Sequence, residues 1–389
     1  MTDVLRDLLG DIDQEEAADL TSRLVAYRSY PGEEGPVQRA VFEWLAAQGL
    51  DPAYQPTGDE NRPNVVCRIE NGDGPTFLLN GHVDTVLAVD GWSTDPWTTH
   101  RDGDRLYGLG ACDMKSGVAA TMLAARALHR HRDAWSGTVL FSSVVDEEAY
   151  SSGARALIAA DLRSDYCLVA ESSWGAPCLG SVGKALIRVD VTGKAAHASW
   201  PWEGINAATE GARLVARLDE IPIQSHPRMR GSRCVLGIHA GNEQYVITVP
   251  ERARIVVNRM LTPGETGSQE LLAVVRLAES LGSPARFAVT VDPPFYPPWD
   301  TPKNHPVAQS LARAYEIEAG RQPEWGYWGF GDTNLFSGEA GIPTVMCGPL
   351  GGNFHQADEW VDVPSIAASA RLMARMVADL LAPGAAGGQ

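Results

Sequence analysis

The chain has 389 residues, more than a single hydrophobic core usually serves, so two domains are expected. Its 49 acidic side chains outnumber the 32 lysines and arginines, and the formal net charge of −17 argues against nucleic acid or an anionic membrane surface as a partner. Six scattered cysteines, no export signal and no apolar run of about 18 residues predict a cytoplasmic protein with reduced thiols.

The first part of the chain alternates predicted helices with predicted strands. The helices cover residues 5–24, 37–48, 116–131 and 151–162, and the strands cover 64–69, 77–79, 137–145 and 166–170. Strands that alternate with helices in this way are typical of a mainly parallel α/β sheet.

Histidine and acidic residues follow the ends of these strands. The strand at 77–79 leads into Gly-His-Val-Asp at 81–84, and the strand at 137–145 leads into Asp-Glu-Glu at 146–148. Asp113 lies in a glycine-rich loop, Glu171 follows the next strand, and His355 follows a late apolar strand at 343–347. Ligands of open α/β sheets collect beyond the carboxyl ends of the strands. Two histidines and at least three carboxylates at one edge are the ligand set that two zinc ions take.

Four segments resemble the di-zinc deacylases and exopeptidases. This family includes acetylornithine deacetylase, succinyl-diaminopimelate desuccinylase, aminoacylase and glutamate carboxypeptidase. The segments lie at 81–84, 108–115, 146–148 and His355, in the order and approximate spacing of the family. A related branch that hydrolyses carbamoyl compounds lacks the lysine of the glycine-rich segment, so Lys115 places the chain outside that branch.

The resemblance implies a ligand set for two Zn²⁺ ions, for which Co²⁺ or Mn²⁺ can substitute. Asp113 would bridge the ions, His82 and Glu171 would complete one ligand set, and Glu148 and His355 would complete the other. Two cations about 3.5 to 4 Å apart can clamp a carbonyl oxygen and activate a water molecule. In the family the peptide bond after the bridging aspartate is cis, so a cis bond is expected between Asp113 and Met114.

Two further acids have roles beside the ions. Asp84 would accept a hydrogen bond from the ring nitrogen of His82 that does not hold the metal. Glu147 has no metal left to bind, so it would act as the general base that takes the proton of the water and passes it to the leaving amine.

The pattern changes after residue 180. Strands are predicted at 185–191, 234–239, 245–249, 254–260 and 286–291, with helices at 204–218 and 265–281. This order resembles the β-α-β-β-α-β unit with one added strand. We therefore expect a catalytic α/β domain in two parts, 1–180 and 295–389, interrupted by a ferredoxin-like lid and dimerisation domain at 181–294. Helices at 306–319 and 364–381 would complete the catalytic domain, and 383–389 would form a flexible tail.

The substrate-binding residues are expected in the inserted domain. The segment 193–199 is similar to the lid segment of the family, whose histidine contacts the scissile carbonyl, and His197 matches it. Arg259 matches an arginine that often meets the substrate carboxylate by a bidentate contact. The chain departs from the family at Val257, where an acid is usual, and at Ile247, where asparagine is expected, although Asn242 lies close. The glycine-rich segment at 329–334 also differs, which puts the specificity in doubt.

Five aromatic side chains admit two interpretations. They either line an apolar acyl pocket or pack within the domains, and they are Trp200, Trp202, Trp325, Tyr327 and Trp328.

The predicted function is that of a zinc amidohydrolase that cleaves an N-acyl amino acid or a related small amide. Glu rather than Asp at position 171 favours a deacylase, and an exopeptidase that cleaves dipeptides or C-terminal residues is the alternative. A non-catalytic binding protein on the same fold is a further alternative from a different class. The resemblance also implies a homodimer through the inserted domain in which His197 serves the neighbouring subunit, against the alternative of a monomer.

Overall fold

The computed structural model describes residues 3–241 and 247–383. Its helices are α1 (Asp3–Gly10), α2 (Gln14–Val25), α3 (Gly35–Ala47), α4 (Ser116–Arg130), α5 (Ser152–Ala159), α6 (Ala207–Val215), α7 (Gly267–Ser280), α8 (Pro306–Ala319) and α9 (Val363–Leu380). Its strands are β1 (Pro52–Gln55), β2 (Asn64–Asn71), β3 (Thr76–His82), β4 (His100–Asp102), β5 (Arg105–Tyr107), β6 (Gly137–Val144), β7 (Tyr166–Ser172), β8 (Cys178–Ser181), β9 (Gly183–Thr192), β10 (Ser232–Ala240), β11 (Arg252–Leu261), β12 (Arg286–Tyr296), β13 (Trp299–Asp300), β14 (Gly326–Trp328), β15 (Thr344–Gly348), β16 (Gly351–Gly352) and β17 (Trp360–Asp362).

The chain divides into two compact units. The large unit contains Met1–Gly180, Asp300–Tyr327 and Gly331–Gln389, and the inserted unit contains Ser181–Trp299 and Trp328–Phe330. The boundary at 294 drawn from the sequence precedes Trp299, because β12 continues through Pro293 and Pro294 to Tyr296.

The large unit is built on a mainly parallel sheet whose strands run in the order β1-β2-β6-β3-β7-β15-β8. Strands β6, β3, β7 and β15 are parallel, whereas β1, β2 and β8 pair antiparallel at the two sides. From Phe77 onward β3 is buried, since it lies between two neighbours and both of its faces are covered. Helices α2, α4, α8 and α9 pack against one another. The predicted fold class is confirmed.

The inserted unit has the order β9-α6-β10-β11-α7-β12 and an antiparallel sheet β10-β11-β9-β12. Strand β9 alternates buried and partly buried residues, which is the period of a sheet with one covered face. Its buried residues Ile187, Val189 and Val191 form a core with Leu214 of α6 and Val274 of α7.

Two helices differ from the sequence prediction because polar side chains cap the helix starts. The helix expected over 5–24 is two helices, and the second begins where Asp13 accepts a hydrogen bond from the backbone N–H of Glu16. The helix expected from residue 204 begins at Ala207, because the side chain of Asn206 caps the N–H groups of Ala208 and Thr209.

The strand expected over 245–249 is not formed in its described part. Residues 247–249 make a single bridge, between Thr248 and His197, and residues 245 and 246 lie outside the described residues. Asn242 and the tail residues 384–389 lie outside them as well. Within the described ranges, no helix has both the length and the apolar character needed to cross a membrane.

Candidate metal centre and catalytic residues

Parallel strands bring the expected site residues to one edge of the large sheet. His82 is the last residue of β3 and pairs with Val144, the last residue of β6, so the acids at 146–148 follow from the same edge. Strand β7 runs parallel on the other side of β3, and Glu171 lies near its carboxyl end.

The structure gathers five of the expected site residues into two groups that share Asp113. One group is His82, Asp113 and Glu171, and the other is Asp113, Glu148 and His355. Within each group, one potential ligand atom from each residue lies within 4.8 Å of the others. Oδ1 of Asp113 lies 3.3 Å from Nε2 of His82, and its Oδ2 lies 3.3 Å from Nε2 of His355. The two carboxylate oxygens of Asp113 therefore face different groups, as a bridging ligand requires.

The orientation of His82 follows from its backbone contact. Nδ1 lies 3.1 Å from the carbonyl oxygen of Asp84, which can only accept, so Nδ1 carries a proton and Nε2 is the nitrogen that faces the acids and would bind a metal. The Asp84 carboxylate was expected to accept this proton, but its Oδ1 lies farther away, at 3.4 Å. Its Oδ2 instead accepts a hydrogen bond from the backbone N–H of Glu148, at 2.9 Å. The buried Asp84 therefore positions both His82 and Glu148.

The loop that carries Asp113 is tightly constrained. Gly110 adopts a positive φ of 77°, where an added Cβ would approach Thr85 Cγ2. The expected cis bond between Asp113 and Met114 is present. Lys115 is buried, and its ammonium group donates to the carbonyl oxygen of Tyr27 at 2.7 Å. Burial lowers the pKa of Lys115 to about 7.

His355 occupies a different environment from His82. It has a φ of +56°, an uncommon conformation for a residue with a side chain, and lies between Asn353 and Asp358, which also have positive φ. The side chain of His355 is 52% exposed, whereas that of His82 is 1% exposed.

In both groups the acids and the imidazoles lie close enough together to shift one another's pKa. Burial works to lower the pKa of His82, but the charge of Glu171 and the contacts with Asp113 and Asp84 outweigh it, so this pKa lies well above 6.5. Contacts with Asp113 and Glu148 raise the pKa of His355 to about 10. Burial raises the pKa of Glu171 to about 7 and also raises that of Glu148. For Asp113 the two histidines overcome the effect of burial and lower the pKa.

These five residues fit a pair of divalent cations. Three carboxylates and two imidazoles converge, and in the described part of the chain neither lysine nor arginine forms an ion pair with Asp113, Glu148 or Glu171. His82 Nε2 and Glu171 Oε2 are buried and make no well-directed hydrogen bond to a described residue. Two imidazoles cannot balance three largely buried carboxylates, and divalent metal ions would supply the missing positive charge.

Glu147 lies beside the two groups but belongs to neither. Its Oε2 is 4.0 Å from His82 Nε2. A Cβ added at Gly331 would overlap its Oε1, so this glycine leaves the space that the carboxyl group uses. Burial raises the pKa of Glu147 well above its ordinary value. A carboxyl group with a raised pKa beside a candidate metal centre is suited to proton transfer.

Asp332 and Glu359 also lie at the site, and neither is predicted from the sequence to do so. Asp332 lies in the glycine-rich segment at 329–334, which differs from the family pattern. Its side chain is buried, and burial raises its pKa to about 7. The charge of Asp332 in turn helps to raise the pKa of Glu147. Glu359 accepts hydrogen bonds from the loop that carries Asp113. Its position four residues after His355 was the one available signal, and an isolated acid there is unremarkable in a sequence.

The two residues expected to bind substrate, His197 and Arg259, both lie in the inserted unit but have different surroundings. Nδ1 of His197 accepts a hydrogen bond from the backbone N–H of Ser199 at 3.1 Å, so a neutral imidazole carries its proton on Nε2. The ring also packs against Trp200, with 5.1 Å between centroids.

Arg259 is 0% exposed and bonded to acids of its own unit, Glu265 and Glu270. A substrate carboxylate would have to compete with both acids for this guanidinium, and the substrate contact of Arg259 stays a prediction from the sequence.

Comparison with known proteins assigns this fold and site to a class. The sequence profile described as peptidase family M20/M25/M40 matches residues 78–379, which include all five candidate ligands and Glu147. The fold and the site are those of a hydrolase of amide or peptide bonds. The chain belongs to peptidase family M20/M25/M40, which confirms the family predicted from the sequence motifs.

Individual relatives agree with this family. Over 379 residues the chain is 27% identical to succinyl-diaminopimelate desuccinylase from Paracoccus denitrificans, covering 93% of this chain and 97% of that protein. The structure is similar to aminopeptidase PepT from Bacillus cereus, with a TM-score of 0.79, 23% identity, and coverage of 95% and 100%. It also resembles the YXEP protein of Bacillus subtilis, described as a dinuclear metal-binding peptidase, with a TM-score of 0.74, 17% identity, and coverage of 95% and 98%.

Proposed function

We propose that the protein is a dinuclear metal-dependent deacylase that hydrolyses the amide bond of an N-acyl amino acid or a related small amide. The observation that carries the proposal is the pair of ligand groups that share Asp113, with Glu147 beside them and outside both. The long alignment with a desuccinylase, an enzyme that removes an acyl group, favours this substrate class.

His82, Asp113 and Glu171 would hold one ion, and Asp113, Glu148 and His355 the other. When bound, two zinc ions supply Lewis acidity for the carbonyl oxygen and lower the pKa of water. The three carboxylates leave a cluster of about +1 with two divalent ions, which would attract an anionic substrate. Because the imidazoles hold protons against these acids, metal binding would release protons and strengthen as the pH rises.

Glu147 is the residue that moves the proton. Burial raises its pKa, so it holds a proton more readily than an exposed glutamate, which suits it to take a proton from the attacking water and return it to the leaving amine. Asp84 fixes the ring of His82 and the backbone of Glu148, which limits movement of the ligands during turnover.

His197 is suited to donate a hydrogen bond to the substrate carbonyl. Its Nδ1 is occupied as an acceptor by Ser199, which leaves Nε2–H as the donor. A donor aimed at the oxygen that gains charge stabilises the transition state more than the ground state.

An exopeptidase is the second candidate function, favoured by the likeness to PepT. The test loads the purified chain with zinc and compares N-acetyl, N-succinyl and N-formyl amino acids with dipeptides and tripeptides. Turnover of the N-acyl amino acids is expected, and Glu147→Ala provides the background. Turnover of peptides alone would establish the exopeptidase, and two bound ions without turnover of any amide would establish a binding protein.

A homodimer formed through the inserted domain, with His197 serving the neighbouring subunit, is part of the proposal. It rests on the family resemblance, and mixing two inactive variants tests it. If His197→Ala and Glu147→Ala chains exchange subunits, mixed dimers that pair an intact histidine with an intact base regain up to about half the activity per dimer. Proven exchange without recovery would show that each chain uses its own His197.

A further inference from the structure

A single buried carboxylate holds the backbone of the loop that carries Asp113. Oε1 of Glu359 accepts hydrogen bonds from the N–H groups of Cys112, at 2.7 Å, and Asp113, at 2.9 Å. Its Oε2 accepts a third from the N–H of Gly110, at 2.9 Å. Glu359 is 2% exposed, so these bonds are shielded from water. Hydrogen bonds to a charged acceptor are about twice as strong as neutral ones.

Strand pairing explains why Glu359 lies at this loop. Strand β17 starts at the next residue and pairs antiparallel with β5, and the N–H of Gly108 donates to the carbonyl oxygen of Glu359 at 3.0 Å. Strand β5 leads directly into the loop at 108–113, so the register of this small sheet fixes the carboxylate relative to the loop. The segment that carries Glu359 also carries His355, four residues earlier.

We propose that Glu359 is a positioning residue that holds Asp113 so that its two oxygens face separate ligand groups. Glu359 would act through the loop backbone, because its carboxylate oxygens accept hydrogen bonds from the backbone N–H groups of the loop. Its role parallels that of Asp84, whose carboxylate accepts the backbone N–H of Glu148. The inference rests on the proposed dinuclear function, and it adds that the affinity for the shared pair of ions depends on a residue that is not a ligand.

The chemistry of the side chain makes the proposal testable by a small substitution. A carboxylate has enough lone pairs for all three N–H donors. In Glu359→Gln one oxygen becomes an NH₂ group, which must face at least one N–H donor and leaves it unpaired. The matched control is Glu318→Gln, because Glu318 is another acid of the large unit with a side chain only 6% exposed, and it is bonded to Arg371 and Arg375.

The experiment measures zinc affinity by chelator competition, together with kcat, KM and the unfolding free energy. For Glu359→Gln we expect zinc affinity to fall by about 10- to 100-fold, the range typical of residues that orient metal ligands, with a lower kcat and little change in KM. Added zinc should restore part of the kcat. Glu318→Gln should be less stable but should bind zinc as the wild type does. Wild-type affinity in Glu359→Gln, with only lower stability, would overturn the proposal.

A second variant keeps the test decisive if Glu359→Gln does not fold. Glu359→Asp keeps the charge but is one methylene shorter, so it should bind zinc with an affinity between those of the wild type and a charge-free variant. Amide hydrogen exchange on the full chain should show faster exchange at Gly110, Cys112 and Asp113 in Glu359→Asp. Wild-type affinity and exchange in this variant would overturn the proposal. A wild-type chain that binds no metal would instead count against the proposed function itself.

Discussion

The two halves of the candidate metal centre contain the same kinds of ligand but are built differently. The buried half, His82 and Glu171, lies on the adjacent strands β3 and β7, and the sheet fixes both backbones. The open half, Glu148 and His355, lies on loops. Its access to solvent comes from His355, which has a left-handed backbone and a side chain that is about half exposed, whereas the side chain of Glu148 is 8% exposed. Asp113 belongs to both halves. The same ligand chemistry can therefore coexist with unequal rigidity and unequal access to solvent.

The unequal rigidity of the two halves should affect how each half binds its ion. A ligand in a sheet needs no further ordering to bind, whereas an exposed loop ligand loses conformational freedom when it binds. The ion of the open half should exchange faster and should be the one that an exogenous chelator reaches first.

The largest expected effect concerns Glu147, which belongs to neither half. Glu147→Gln should lower kcat on the order of 10² to 10⁴, the range of a lost general base, while both halves keep their ions. Steady-state kinetics and metal analysis check this, with the exposed Glu70→Gln as a control. Near-normal turnover, or the loss of an ion, would mean that base and ligand are wrongly assigned.

Substitution of one histidine from each half tests whether the two halves differ in their contribution to stability. His355→Ala should leave one ion per chain and a folded protein, because its side chain is largely outside the core. His82→Ala should lose the ion of the buried half and also lower the unfolding free energy, because it leaves buried acids without a partner. Metal content and denaturant unfolding distinguish the two. Equal loss of stability in both variants would contradict the difference between the halves.

A smaller effect is expected at Gly331, whose missing side chain leaves room for Glu147. Gly331→Ala would displace the Glu147 carboxyl group and should lower kcat by about 10- to 100-fold, since a shift of about 1 Å can reduce turnover this much. Both ions should remain bound. Gly329→Ala is the matched control because, apart from its chain neighbours, no atom of a described residue lies within 4 Å of a Cβ added there. Similar kcat values for the two variants would show that Gly331 does not shape the position of the base.

The smallest effect is a pH dependence at Glu34, a buried acid that is not a ligand. Burial raises its pKa to about 7 despite the Arg62 guanidinium at 3.1 Å, because loss of hydration outweighs this ion pair. The proton on folded Glu34 stabilises the protein fully below about pH 4.5, and this contribution is lost as the pH rises through about 7.

Unfolding of the wild type and Glu34→Gln at pH 5 and pH 8 tests this assignment. The unfolding free energy of the wild type should exceed that of the variant by more at pH 5 than at pH 8. An equal difference at both values would exclude a raised pKa for Glu34.

The sequence predicted the parts of the site that depend on local pattern. Apolar runs that end in His82, in the acids at 146–148 or in Glu171 indicate buried strands with polar ends, and parallel pairing then brings these residues to one edge. The paired strands β9 and β11 were predicted for the same reason, since their alternation is visible in the residues.

The remaining features depend on contacts that the pattern of apolar and polar residues does not show. The match of Arg259 to a substrate-binding arginine does not reveal that the fold buries its side chain against Glu265 and Glu270. Glu359 becomes important only because β17 pairs with β5, which lies more than two hundred residues earlier in the chain. The break between α1 and α2 has a local cause, the Asp13 cap, but helical periodicity on both sides concealed it.

Anomalous diffraction from crystals of the zinc-loaded chain, collected on both sides of the zinc absorption edge, would locate the ions. We expect two zinc peaks on opposite sides of the Asp113 carboxylate, one contacting His82 and Glu171 and the other contacting Glu148 and His355. A single peak, or peaks bound by other residues, would contradict it.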